Sequence, residues 1–307
     1  MDRTLENIQK ELSHRRQARI QRLTDIYRKV TDKDNVLYHY TDYLAFHGIL
    51  KDRELRVNNV RNMNDAAEMQ IFMNGIFRAV ERELEAERAD EKLGKLRELA
   101  NELNKKYFDY AAYAACFSTY RDDASQWERY ANRGKGVCLG IDRSVLERMT
   151  GGAITLQKVY YQDDVDTHPL VKKLYDLTMS EEIITEDNPA LKAALADCWR
   201  NSASFKHPSF SSEHEVRLVV MPFGAADFDV KPRYHVTKDR IKKYYPLDLD
   251  AMCEKAGASL EDLITEIIVG PESTQSLPII RDYLKDLSFP ELAERVYMSD
   301  CPLRSKM

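Results

Sequence analysis

Cysteine is scarce in this chain of 307 residues, and the five present (Cys116, Cys138, Cys198, Cys253 and Cys301) are odd in number and never spaced CxxC. That pattern fits neither a disulfide framework nor a zinc module, and it points to a reducing, cytoplasmic setting. Glycine is sparse too, at 11 residues, and no Gly/Ser-rich stretch, repeat or low-complexity tract marks a flexible joint. No segment approaches the roughly 18 apolar residues of a membrane span, and Met1-Asp2-Arg3-Thr4 leads into charged sequence, so neither membrane nor export is expected. GxGxxG, GxxxxGK[ST] and GxSxG are all missing, which removes the fingerprints of doubly wound nucleotide folds and of the nucleophile elbow.

What is present is a globular composition. Hydrophobic residues make up 43% of the chain, enough for a substantial core, and 46 basic against 51 acidic residues leave a formal charge of -5. A surface built throughout for polyanions is thereby excluded, and any such contact must be a local patch.

Along the chain, Leu5, Ile8, Leu12, Ile20, Leu23, Ile26 and Val30 recur at helical spacing with Arg15, Arg16, Arg19 and Arg22 between them. Residues 1–33 are therefore expected to hold an amphipathic helix, whose basic face is either solvated or turned to a partner. Leu37 to Thr41 predicts a strand, Asp42 caps a helix through Leu50, and Leu55-Arg56-Val57 predicts a short strand. Residues 65–110 predict two antiparallel helices with a charged break near 86–92, forming a helical insertion. Further strands are expected at 114–118, 136–141, 154–161, 215–221, 234–236, 266–269 and 296–298, with helices at 125–131, 189–205 and 275–287. Strict βαβ alternation is absent, so the expected class is α+β with a mixed, mostly antiparallel sheet, in one domain over 34–307.

Three clusters carry candidate chemistry. The first is His39, Tyr40 and Thr41, where alternation puts His39 with Leu37 and Thr41 on one face and Tyr38 with Tyr40 on the other. A core histidine bonded to a backbone carbonyl fits the stretch as well as a site does. The second is Cys116-Phe117-Ser118 followed by Trp127 and Tyr130, three apart on a helix and able to present two rings to one surface, or else to anchor the helix in the core. The third is Glu213, Glu215 and Arg217, expected on one face of a strand that looks into solvent or a cleft, with Val216, Leu218 and Val220 buried behind. Two close carboxylates with a guanidinium can divide electrostatic work, although a solvated salt bridge is the plainer account. Histidine spacing supports no metal site.

Taken together, LYHYT at 37–41, NMND at 62–65 with Glu68, CFS at 116–118, WxxY at 127–130, GVCLGID at 136–142, ExEVR at 213–217 and IIVGP at 267–271 resemble a bacterial family of unknown function, often found in mobile or defence-associated regions. The order of these motifs also distantly resembles the ADP-ribosyltransferase fold. That resemblance implies NAD as substrate, gripped by His39, Tyr40 and Thr41, with Ser118 and Arg217 supporting the pocket. It further implies an aromatic on nicotinamide, drawn from Tyr120, Trp127 and Tyr130, and Glu215, or Glu213 with Glu215, beside the oxocarbenium-like centre. The expectation is an ADP-ribosyltransferase-like enzyme of the defence or toxin effector kind, with a nucleic acid, a protein or water as acceptor. One alternative is a catalytically silent binding module, oligomerising through the N-terminal or inserted helices. The other is a nucleotide or nucleic-acid hydrolase using Glu213, Glu215 and Asp65 as metal ligands.

Overall fold

Strand segments spread from Val36 to Met298 build a sheet, and 3.6-residue periodicity in segments between them builds helices. The computed structural model describes residues 35–60, 63, 70–106, 112–161, 165–166, 168–180, 188–222, 228–237 and 239–303. The expected N-terminal helix and the motif residues Asn62, Asn64, Asp65 and Glu68 lie outside them. The first elements are β1 (Val36–Thr41), α1 (Tyr43–Lys51), β2 (Glu54–Asn59), α2 (Gln70–Ala86), α3 (Asp90–Lys106), β3 (Tyr113–Ser118), α4 (Ala124–Tyr130), β4 (Val137–Asp142), α5 (Arg143–Arg148), β5 (Ile154–Lys158) and β6 (Tyr160–Tyr161). There follow α6 (Pro169–Ser180), α7 (Pro189–Ser202), β7 (Phe205–Lys206), a 3-10 turn (Pro208–Glu213), β8 (Glu215–Val220), β9 (Arg233–Val236) and β10 (Ile241–Asp248). The chain closes with α8 (Leu249–Lys255), α9 (Leu260–Leu263), β11 (Ile264–Val269), α10 (Leu277–Asp286), α11 (Pro290–Ala293) and β12 (Val296–Met298).

The chain divides into two compact units. One unit takes residues 67–110 and 162–207, so the expected helical insertion is joined by a second helical excursion. Its core is Phe72, Ile76, Val80 and Leu84 of α2, Leu93 and Leu96 of α3, Leu170 and Leu174 of α6, and Leu191 and Leu195 of α7. These are the apolar stripes that helical spacing predicts for α2 and α3, whereas α6 falls on a stretch that the strand and helix signals left unassigned.

The other unit takes residues 34–66, 111–161 and 208–307 and holds the sheet. Strand order is β12-β11-β4-β1-β3-β2-β10-β9, with β8 and then β5 on the far edge of β3. Every pairing in it is antiparallel except β11 with β12. The sheet forks at β3. β8 pairs with it from Tyr113 to Ser118, while the opposite edge is shared by β2 at Ala114 and Tyr113 and by β1 at Ser118 alone. β10, the longest strand, was not anticipated, because Lys242 and Lys243 interrupt its apolar pattern.

Alternation assigns the faces. Leu37, His39 and Thr41 oppose Ile141, Leu139 and Val137 on the face covered by the main apolar core, which also takes Phe117, Val216 and Leu218. Tyr38, Tyr40, Ser118, Glu215 and Arg217 belong to the opposite face. Gly136 permits the close approach at the end of β1, since a Cβ there would stand 2.1 Å from the Thr41 carbonyl oxygen. All five cysteines are free thiols. Among the described residues, no helix is long and apolar enough to cross a membrane.

Candidate functional site: a buried carboxylate turn on the sheet

The third sequence cluster is the centre of the site, but its geometry differs from the expectation. Glu213 does not lie on the strand: it ends the 3-10 turn, and His214 follows with a φ of 45°, in the left-handed region that bulky residues rarely occupy. That kink breaks the period of two between Glu213 and Glu215. The face bearing Glu215 and Arg217 does not meet solvent either. Glu215 is 6% exposed and Arg217 is fully buried, because β8 is flanked by β3 and β5 and covered on both faces. Arg217 makes two parallel bonds to Glu215, Nε to Oε1 at 2.9 Å and Nη2 to Oε2 at 2.8 Å, the arrangement in which a guanidinium best offsets the cost of burying a carboxylate.

Glu213 is 2% exposed, and its turn is gripped from several sides. The Ser118 hydroxyl and the Gln126 amide both donate to its carbonyl oxygen, at 3.0 and 3.1 Å. On its side chain, Tyr130 donates a phenolic proton to Oε1 at 2.5 Å and Arg129 Nη1 lies 3.3 Å from the same oxygen. Burial, followed by the Glu213 carboxylate, pushes the Tyr130 phenol far above its ordinary range, so the ring remains a hydrogen-bond donor. Gln126, Arg129 and Tyr130 are spaced i, i+3, i+4 on α4, which is why one short helix delivers all three to one turn. Asp123 caps that helix, accepting from Ser125 and Gln126 N–H, and so fixes where it starts.

Two partly exposed rings adjoin this turn. Tyr130 is 37% exposed, and Tyr120 is 50% exposed and lies 4.2 Å, centroid to centroid, from His214. Trp127 parts company with Tyr130. It is fully buried, packs edge-on to Tyr40 at 5.0 Å and donates its indole N–H to Asp122 at 2.7 Å, so it anchors α4 and has no ring face to offer a ligand. The Tyr40 hydroxyl is occupied as well, donating to the Tyr120 carbonyl and accepting from Asp123 N–H, both at 2.9 Å.

The structure thus brings together Ser118, Tyr130, Glu213, Glu215 and Arg217, and separates them from His39 and Thr41, which share the apolar face. His39 Nδ1 bonds the Cys116 carbonyl at 2.9 Å, its ring lies 5.5 Å from that of Phe117, and it borders an apolar hollow with Leu139, Leu218 and Leu260. Burial lowers its pKa, so the neutral ring donates to that carbonyl. No bond from His39 to Thr41 accompanies this. Gln126, Arg129 and His214 were not singled out from sequence, although the i, i+3, i+4 spacing of Gln126, Arg129 and Tyr130 is visible there. Among the described residues no group of three or more His, Cys, Asp or Glu side chains is placed to hold a metal ion, and Asp65 lies outside them.

No curated protein and no solved structure matches the chain. Residues 126–218, which include the α4 aromatics, the β4 motif and the Glu213–Arg217 segment but neither β1 nor β11, match the family described as Protein of unknown function (DUF2971).

Proposed function

We propose that the protein cleaves the nicotinamide–ribose bond of NAD and transfers ADP-ribose to an acceptor, in the manner of an ADP-ribosyltransferase, at the Glu213 turn. The observation that carries this reading is the Tyr130–Glu213–Arg129 arrangement: a buried carboxylate held by fixed donors, beside two rings that remain partly open. As the C1′–N bond breaks, its electron pair leaves with nicotinamide and positive charge grows on the ribose, where a preorganised carboxylate stabilises it most. The acceptor nucleophile then bonds C1′ and gives up its proton. Glu213 is the better placed of the two carboxylates, since both oxygens of Glu215 are engaged by Arg217; Glu215 and Arg217 position the turn. Tyr130 or Tyr120 supplies the ring for nicotinamide.

A silent binding module is the second reading. It is favoured by the commitment of His39 to Cys116 on the other face of the sheet, which leaves the resemblance without its first-strand histidine at the carboxylates. Nicotinamide release from NAD, with thermal unfolding as the control for folding, separates the two. The enzyme reading expects release by the wild type and at least a ~100-fold loss in Glu213→Gln, the scale of one removed electrostatic group. A folded wild type that releases nothing leaves the binding module.

A further inference from the structure

We infer that the β9–β10 hairpin is a docking surface for single-stranded nucleic acid. Residues 231–243, KPRYHVTKDRIKK, carry six lysines and arginines against one aspartate, in a chain whose formal total is -5. Cross-strand register distributes them over a two-stranded ribbon, with Lys242 opposite His235, Lys243 opposite Tyr234 and Ile241 opposite Val236. Arg233, His235 and Lys242 therefore share one face, together with Arg56, whose guanidinium lies 5.0 Å from the Tyr244 ring centroid. The carboxylate of Glu54 on that face is held between Arg233 at 2.6 Å and Arg56 at 3.1 Å, and Asp239 stands at the hairpin end.

The other face carries Lys243 and three apolar side chains that are largely in solvent: Tyr234 at 65%, Val236 at 70% and Ile241 at 66% exposure. Charge on an outermost strand commonly guards against edge-to-edge pairing. That account reaches Lys242 and Lys243 as well, since β2 pairs β10 only from Tyr244 to Asp248 and β9 alone pairs it at both lysines. A guard does not explain an exposed tyrosine, valine and isoleucine. A lysine directly across the ribbon from an open ring, Lys243 opposite Tyr234, with further cations along the same hairpin, suits a nucleic-acid strand, the cations taking phosphates and the ring taking a base. The ribbon is also preformed at its tip, where Thr237 N–H donates to the Arg240 carbonyl at 2.9 Å and Arg240 N–H to the Thr237 hydroxyl at 3.1 Å. The inference stands on the hairpin alone. It would supply an acceptor strand for the transfer proposed above, but its test involves no NAD.

The test uses fluorescence anisotropy of a labelled single-stranded oligonucleotide of about 20 nucleotides with the full chain. Binding at about 50 mM salt should weaken about tenfold or more by about 200 mM. Arg240→Glu with Lys243→Glu should cost at least about tenfold in affinity and Tyr234→Ala about fivefold, while Lys285→Glu on α10 with Lys255→Glu on α8, the same total charge change, should have no effect. Matching circular dichroism among the variants keeps folding out of the comparison. Absence of binding at low salt, equal binding by the hairpin variants, preference for duplex, or competition by polyglutamate as strong as by unlabelled strand would each overturn the assignment.

Discussion

His39 Nδ1 and the carbonyl oxygen of Cys116 lie 2.9 Å apart where the sheet forks at β3. On that edge of β3 the pairing with β2 covers Tyr113 and Ala114 and the pairing with β1 falls at Ser118, and between the two the His39 side chain donates to the Cys116 carbonyl. A side-chain hydrogen bond of this kind contributes about 0.5 to 1.5 kcal/mol. His39→Phe, which keeps a ring but no donor, should therefore lower the unfolding free energy by that amount, read as a lower urea midpoint at an unchanged slope. An unaltered midpoint would show that the fork needs no such closure.

Tyr130→Phe removes the 2.5 Å donor from Glu213 and leaves the ring in place. A hydrogen bond to a carboxylate contributes about 1.5 to 3 kcal/mol, and with Arg129 remaining a loss of about 1 to 2 kcal/mol is expected by thermal or chemical unfolding. If the Glu213 turn turns over NAD, the same variant should lower nicotinamide release well beyond what its small loss of stability accounts for.

Arg217 and Glu215 form a fully buried pair, so the variants should not be additive. Arg217→Met alone strands a buried carboxylate and should cost about 3 to 5 kcal/mol, whereas adding Glu215→Gln should restore a large part of it. A double-mutant cycle measures the coupling; simple additivity would mean that the bidentate geometry contributes nothing.

Acid stability should depend on His168 in the helical unit. Its ring packs edge-on to Phe72 at 5.0 Å, its Nδ1 accepts from Leu170 N–H at 3.2 Å, and burial lowers its pKa to about 4. Above the unfolded value near 6.5 the ring is neutral in both states and its contribution is complete. As pH falls from about 6.5 to about 4, the unfolded chain takes up a proton that the folded one resists, and about 3 kcal/mol is lost over that window. His39, also lowered, acts in the same sense. Unfolding free energy against pH should flatten in His168→Gln, and an unchanged slope would assign the acid sensitivity elsewhere.

Gly136→Ala should be among the most damaging small substitutions in the sheet unit. The added methyl would stand 2.1 Å from the Thr41 carbonyl oxygen, part of a strand with no room to retreat. A loss of several kcal/mol, of the kind produced by overpacking, is expected in urea unfolding.

The sequence by itself determined local structure and composition. Alternation identified β1 and β8, helical stripes identified α2 and α3 with their break, and Asp42 announced the start of α1, where it accepts from Ala45 N–H at 2.8 Å. These features are legible because they depend on neighbours within a turn or two of chain. Only the tertiary structure decided which side chains meet. Glu213 and Glu215 parted because the left-handed His214 breaks the strand period between them, and Trp127 and Tyr130 parted because the packing of α4 turns one inward to Tyr40 and the other to Glu213. His39 was drawn to a carbonyl 77 residues away by a fork that exists only once β1, β2 and β3 have paired. Burial and long-range pairing set these outcomes, and neither has a signature in the spacing of residues along one chain.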